Sequence, residues 1–165
     1  MDFLNAVPGQ GGHVLVEMSP NVAECLYAIG RDLLTALETG YRGRRRLRDE
    51  DLFPDAYELI RDSKAFRERH GAAMRESLTA AVRAVVLNYR GQTVFTLDRA
   101  WLRAWFTMVA HAPALYVRKP RWTVGAWTRL PVTENEVRLF WLHYTQAALA
   151  QACAVSPCEP PVSGT

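Results

Sequence analysis

The sequence predicts a mainly α-helical domain of about four principal helices with two short β-strands. Three observations predict it. Apolar residues recur at three- and four-residue spacing in four separate segments. Only two short runs have the apolar, β-branched character of a strand. Residues suited to helix ends flank the helical segments.

In chain order, residues 1–12 carry Gly and Pro and are expected to be loose. His13 to Met18 reads as a strand. Ser19 and Pro20 suit an N-cap and a first helical turn. The helix they open carries Val22, Cys25, Leu26, Ile29, Leu33, Leu34 and Leu37, and Gly40 is placed to end it. Residues 41–51 are a charge block: Arg42, Arg44, Arg45, Arg46 and Arg48, then Asp49, Glu50 and Asp51. Such a block reads as a solvated, mobile loop. A second helix is expected from about Ser63 to Tyr89, with Gly71 weakening its continuity.

Gly91 to Leu97 reads as the second strand, and Asp98 as the cap of a third helix bearing Trp101, Leu102, Trp105, Phe106, Met108 and Val109. Pro113 limits that helix, because it lacks the N–H and clashes with the preceding turn. Residues 118–131 read as a loop. Thr133 and Glu136 form a capping box for the last helix, which runs to about Ala152. The two strand–cap–helix units echo each other, and their strands are expected to pair as a small sheet under the helices.

The 165 residues suit one domain, placed at 1–154, with a disordered tail at 155–165 that holds three prolines. Hydrophobic residues make up 49% and charged residues 22%, enough apolar material for a core without a disulfide framework or a structural metal. The net charge of +3 permits nucleic-acid binding without arguing for it. No basic, apolar leader opens the chain and no apolar run is long enough for a membrane span, which points to the cytosol.

No catalytic site, metal site or cofactor is expected. Gly9-Gln10-Gly11-Gly12 precedes a strand, whereas a phosphate-binding loop must open a helix. His13, His70, His111 and His143 lack the spacing of a metal pair. Arg42, Arg44, Arg45 and Arg46 could bind nucleic-acid phosphates or an acidic protein partner; the simpler reading is a loop whose charges offset the adjacent acids. Trp122 and Trp127, set among Arg118, Lys119 and Arg121, serve either core packing or a contact surface. Cys153 and Cys158 flank a helix end and a Ser-Pro turn, so a reversible disulfide between them is a redox candidate, against two inert thiols near the tail. Cys25 reads as a small core residue.

The run Leu52-Phe53-Pro54-Asp55-Ala56-Tyr57, followed by Phe66-Arg67, resembles the hallmark of an actinobacterial family named for the oxidative-stress regulator AosR. Leu97-Asp98 with Ala100 to Ala104, and Trp127-Thr128-Arg129-Leu130 with Val132-Thr133-Glu134, are similar to further family segments. The resemblance spans about residues 12–152. Phe106 to His111 and Arg118 to Trp122 depart from the family pattern. The resemblance implies a cytosolic regulator of transcription under redox stress, with a sigma factor or another transcription component as partner. It carries over no catalytic residues. The reading is a non-enzymatic regulatory domain that binds a protein. Its rivals are an enzyme whose site forms only in three dimensions and, last, a direct DNA binder, since the final helix bears only Arg138 as a fixed positive charge. A homodimer stays open.

Overall fold

The computed structural model describes residues 1–55, 59–117 and 133–155, with the side chains of Arg45 and Val155 excepted. The fold is mainly α. In chain order it comprises β1 (Leu4–Pro8), β2 (Val14–Met18), α1 (Pro20–Thr39), β3 (Tyr41–Arg42), β4 (Arg45–Arg46), the single-turn α2 (Asp49–Leu52), α3 (Ile60–Asn88), β5 (Val94–Leu97), α4 (Arg99–His111) and α5 (Glu134–Val155). Four of the helices are long, as expected.

The strands need correction. The two expected strands do pair, antiparallel, with Val14 opposite Leu97 and Val16 opposite Phe95. A third strand, β1, lies on the other side of β2, with Leu4 opposite Met18 and Pro8 opposite Val14. It occupies residues expected to be loose. Its apolar inward positions are only Leu4 and Ala6, too few to show a two-residue period. Ser19 helps hold the N-terminal segment: its hydroxyl donates to Asp2 Oδ1 at 3.2 Å and accepts from the Phe3 amide.

The sheet turns Leu4, Val14, Val16, Met18 and Leu97 into the core. The core side of α1 meets them with Val22, Leu26, Ile29, Leu33 and Leu37. At Gly30 the helices α1, α3 and α4 converge. A Cβ there would stand 3.1 Å from Met108 Sδ and 3.2 Å from Val86 Cγ2, so the close approach depends on glycine. Below lies an aromatic cluster: Trp105 stacks on Phe95 at 5.3 Å, and Tyr89 meets both rings edge-on or tilted. The Tyr89 hydroxyl donates to the Ala23 carbonyl, and burial pushes its pKa above the ordinary tyrosine range.

The helix boundaries follow the local chemistry. Gly40 ends α1 in the left-handed region, its amide bonded to the Ala36 carbonyl. Asp98 Oδ1 accepts from the Trp101 amide at the start of α4. Pro113 lies in a short 3-10 turn, Ala112–Leu115, that closes α4. Glu136 Oε2 accepts from the Thr133 amide, while Thr133 Oγ1 accepts from the Glu136 amide. α3 runs unbroken through Gly71. A side chain there would meet the Asp49 carboxylate at 3.1 Å, so this glycine makes room for α2.

Candidate interaction surface

The arginine block forms a hairpin, which corrects its reading as a loop. Tyr41 pairs with Arg46 and Arg42 with Arg45. Gly43 takes the first position of the two-residue turn with φ 56°, where a positive φ favours glycine, and Arg44 takes the second. The Leu47 amide continues the pairing onto the Gly40 carbonyl at 2.9 Å. Leu47, Leu52 and Phe53 are buried, so apolar anchors hold both the hairpin base and the segment that follows.

The arginines have divided roles. Arg42 lies inward, its guanidinium carbon 4.6 Å from the centroid of the buried Tyr116 ring. It also donates to Asn135 Oδ1. Arg48 pairs with Glu50 and Asp51. Asp49 is engaged by Arg75, which donates to Oδ1 through both Nε at 3.0 Å and a terminal nitrogen at 2.6 Å. The same Arg75 reaches the Leu47 carbonyl and fastens the hairpin base to α3. Among the described side chains the adjacent acids meet Arg48 and Arg75, so the offsetting of these acids by the block is seen at Arg48. Arg44 and Arg46 are exposed, and among the described residues neither has an acidic partner within ion-pair distance. Tyr41, 53% exposed, stands beside Arg46. The backbone of Arg45 belongs to β4.

Beneath the hairpin lies a charged junction. Arg138 of α5 donates to Asp32 of α1 at 2.6 Å, to the Tyr116 hydroxyl at 3.1 Å, and to Glu134. Burial works against the Arg138 charge, but the hydrogen bonds to Tyr116 and Asp32 outweigh it and hold the guanidinium pKa above its ordinary value. Burial raises the Tyr116 pKa, opposed by its hydrogen bond with Arg138. Cys25 is half-buried, and its pKa is also raised, chiefly by burial, while the Arg138 charge acts to lower it. The expected core role of Cys25 is thus met in part: it packs at the margin of the core.

Cys153 lies in the last turn of α5, half-buried against the core. Cys158, Trp122, Trp127, the expected loop at 118–131 and the tail from 156 lie outside the described residues. Within the motif that carries the resemblance, Arg67 donates to the Asp55 carboxylate at 2.7 Å and to the Phe53 carbonyl, so its two separated parts meet.

Two open grooves lie elsewhere. One, about 470 Å³, runs between α3 and α4 and is lined by Phe53, Phe66, Met74 and Leu78 with His70 and His111. The His111 Nδ1 lies 2.8 Å from the Thr107 carbonyl. The other, about 430 Å³, has Phe95 and Trp101 as walls, with His13, Asn88 and Asp98 at its rim. Asn88 and Asp98 are occupied by helix backbone. Among the described residues no group of three His, Cys, Asp or Glu side chains could hold a metal ion. Among those residues, too, no helix is long and apolar enough to cross a membrane.

Sequence reasoning missed Tyr41 and the hairpin. The available signal was Gly40 and Gly43 bracketing two residues, a turn marker masked by the density of charge. It also missed the Asp32, Tyr116 and Arg138 junction, whose members are too far apart in sequence to announce one another. No family model, no curated protein and no solved structure matches the chain.

Proposed function

We propose that this chain is a non-enzymatic regulatory domain that binds an acidic segment of a protein partner at the β3–β4 hairpin. One observation carries the reading: the hairpin is fastened by Arg42, Leu47 and Arg75, yet it presents Arg44, Arg46 and Tyr41 to solvent, and among the described residues neither arginine has an acidic partner. Charged side chains that fold stability does not use are available for steering and for recognition. An exposed tyrosine beside them supplies contact area at small entropic cost. The resemblance to the AosR family supports a partner from the cytosolic transcription machinery, a sigma factor or a similar component. In the same reading Cys153 and Cys158 respond to oxidant.

The test is affinity capture from an actinobacterial lysate with the wild type and with an Arg44→Glu/Arg46→Glu variant, with and without oxidant. The expected result is a captured transcription component that the variant loses while its circular dichroism is unchanged. Identical capture by both proteins would remove the hairpin from the interface. Retention of double-stranded DNA by the isolated wild type, with no protein captured, would favour direct DNA binding.

A further inference from the structure

α5 differs from the other long helices in having two apolar seams. Leu142, Thr145, Leu149 and Ala152 form the inner one, all buried. On the opposite side Val137, Phe140, Tyr144, Ala147, Gln151 and Ala154 follow one another at alternating spacings of three and four residues, and all six are exposed. That is the heptad spacing of a helix-pairing seam. Val137 is 38%, Phe140 48% and Tyr144 46% exposed, so the outer face of the helix carries a row of apolar side chains open to a partner. Phe140 and Tyr144 stack at 6.0 Å, and Trp141 meets both rings edge-on, so the bulky half of the seam is preordered.

We infer that this outer seam binds a second copy of the same chain, antiparallel, about a two-fold axis near Ala147. Charge and shape both select that occupant. From Leu139 to Val155 the helix has no Asp, Glu, Lys or Arg, so two copies meet along it without like-charge pairs, although each chain carries a net +3. A charged partner helix would find no complementary charge there. The seam is also graded in size, with Val137, Phe140 and Tyr144 in its N-terminal half and Ala147, Gln151 and Ala154 in its C-terminal half. Antiparallel pairing places Phe140 against Ala154 and Tyr144 against Ala150 and Gln151 of the other copy, a ring against smaller side chains in both layers. Parallel pairing would put ring against ring and leave a gap beyond. The antiparallel arrangement also sets the positive end of each helix beside the negative end of the other. A C2 interface of this kind is self-complementary by construction.

The area bounds the affinity. A helix of 22 residues is about 33 Å long. The four half-exposed rings of the two copies would together cover about 400 Å², and the flanking residues bring the total toward the low end of specific interfaces, about 1,200 Å². An interface of this modest size fits a reversible dimer whose population rises with concentration.

The experiment is sedimentation equilibrium of the full chain from low micromolar to several hundred micromolar. The wild type is expected to pass from monomer to dimer. Ala147→Glu and Ala147→Lys, each on the exposed face and therefore compatible with folding, are expected to be monomers with unchanged circular dichroism. Mixed, they should restore the dimer, because residue 147 faces itself across the axis. Ala154→Glu and Ala154→Lys should show no such rescue on mixing, because residue 154 faces the partner's ring. A wild type that stays monomeric throughout, or an Ala147→Glu chain that still dimerises, overturns the inference. Rescue at 154 overturns the antiparallel arrangement.

Discussion

At Gly30, α1 meets α3 and α4 through apolar atoms alone, with Met108 and Val86 closing on the glycine. Two residues later and on another face, Asp32 meets α5 through charge, in a cluster with Arg138, Tyr116 and Glu134. The apolar junction excludes water and has no solvent exchange to fall back on. The charged one is half open: the Arg138 side chain is 19% exposed, but Asp32 is 51% and Glu134 77% exposed. Removing a group from the first leaves a void, whereas removing one from the second lets water take over part of the bonding. The two should therefore differ in how much stability they supply and in which solution variable weakens them.

The strongest test acts on the apolar side. Trp105, 1% exposed, holds Phe95 and Tyr89 together beneath the Gly30 junction. Trp105→Ala is expected to cost about 3–5 kcal/mol, the range for a truncated core aromatic. Gly30→Leu, which overfills the junction, is expected to cost about 1–3 kcal/mol. Urea unfolding of both variants measures this. A loss below about 1 kcal/mol in each would mean that the helices do not close there.

On the charged side, Arg138→Met keeps the aliphatic packing and removes every donor to Asp32, Glu134 and Tyr116. The Tyr116 hydroxyl then loses its charged partner in a largely buried setting, while the two carboxylates return to water. The expected loss is about 2 kcal/mol, within the range for hydrogen bonds to a charged group. It should shrink when Asp32→Asn is already present, because the pair no longer exists. A double-mutant cycle reads that coupling directly, and strict additivity would show that the two residues act apart.

How much was legible follows the same division. The helix α1 could be read because Val22, Leu26, Ile29, Leu33 and Leu37 repeat along one face and Ser19, Pro20 and Gly40 mark its ends. The capping box at Thr133 and the pairing of β2 with β5 were legible for the same reason: local pattern coincided with global position. Strand β1 was not, because two inward residues cannot display a period. The Asp32–Tyr116–Arg138 cluster was not, because nothing local distinguishes an arginine that will meet a buried tyrosine from one that faces water. The arginine block misled in an instructive way. Its composition was that of a loop, but a glycine turn and the buried Leu47 made it a hairpin. Composition reports what solvent tolerates, not what the backbone does. The outer seam of α5 was not read from the sequence, because only burial separates Val137, Phe140 and Tyr144 from the inward Leu142 and Leu149.

Alkaline pH offers a smaller, graded perturbation that reaches both junctions. The pKa values of Tyr89 and Tyr116 are raised, each chiefly by burial. A group whose pKa is higher in the folded state binds its proton more tightly there. Its contribution is complete below the unfolded value, about pH 10, and is lost as pH rises through the folded value. Stability should therefore carry no tyrosine-linked slope near neutrality, then fall above about pH 10 by up to about 1.4 kcal/mol per pH unit for each tyrosine. Tyr116→Phe and Tyr89→Phe should each remove one component of that fall. A wild-type profile that stays flat across the pH unit above about pH 10 would show that neither ring holds its proton more tightly in the folded state.

The smallest expected effect separates the arginines of the hairpin from one another. Arg42 packs over Tyr116 and donates to Asn135, so Arg42→Ala should lose about 1 kcal/mol, the scale of a partly exposed cation–π contact. Arg44 and Arg46 project into solvent, and their alanine variants should stay within about 0.5 kcal/mol of the wild type. Partner capture should rank them the other way, with Arg44→Ala/Arg46→Ala losing more of the captured protein than Arg42→Ala does. Raised salt should mimic the double variant, since exposed charges are screened over a Debye length of about 8 Å at physiological ionic strength, while the Arg42–Tyr116 contact is sheltered. Thermal melts and capture run on the same three variants decide the matter. If Arg44→Ala/Arg46→Ala destabilises the fold as much as Arg42→Ala, the tip arginines are structural and the hairpin loses its claim to be a docking element. If only Arg42→Ala weakens capture, the surface that matters is the one beneath the hairpin, at Tyr116 and the start of α5.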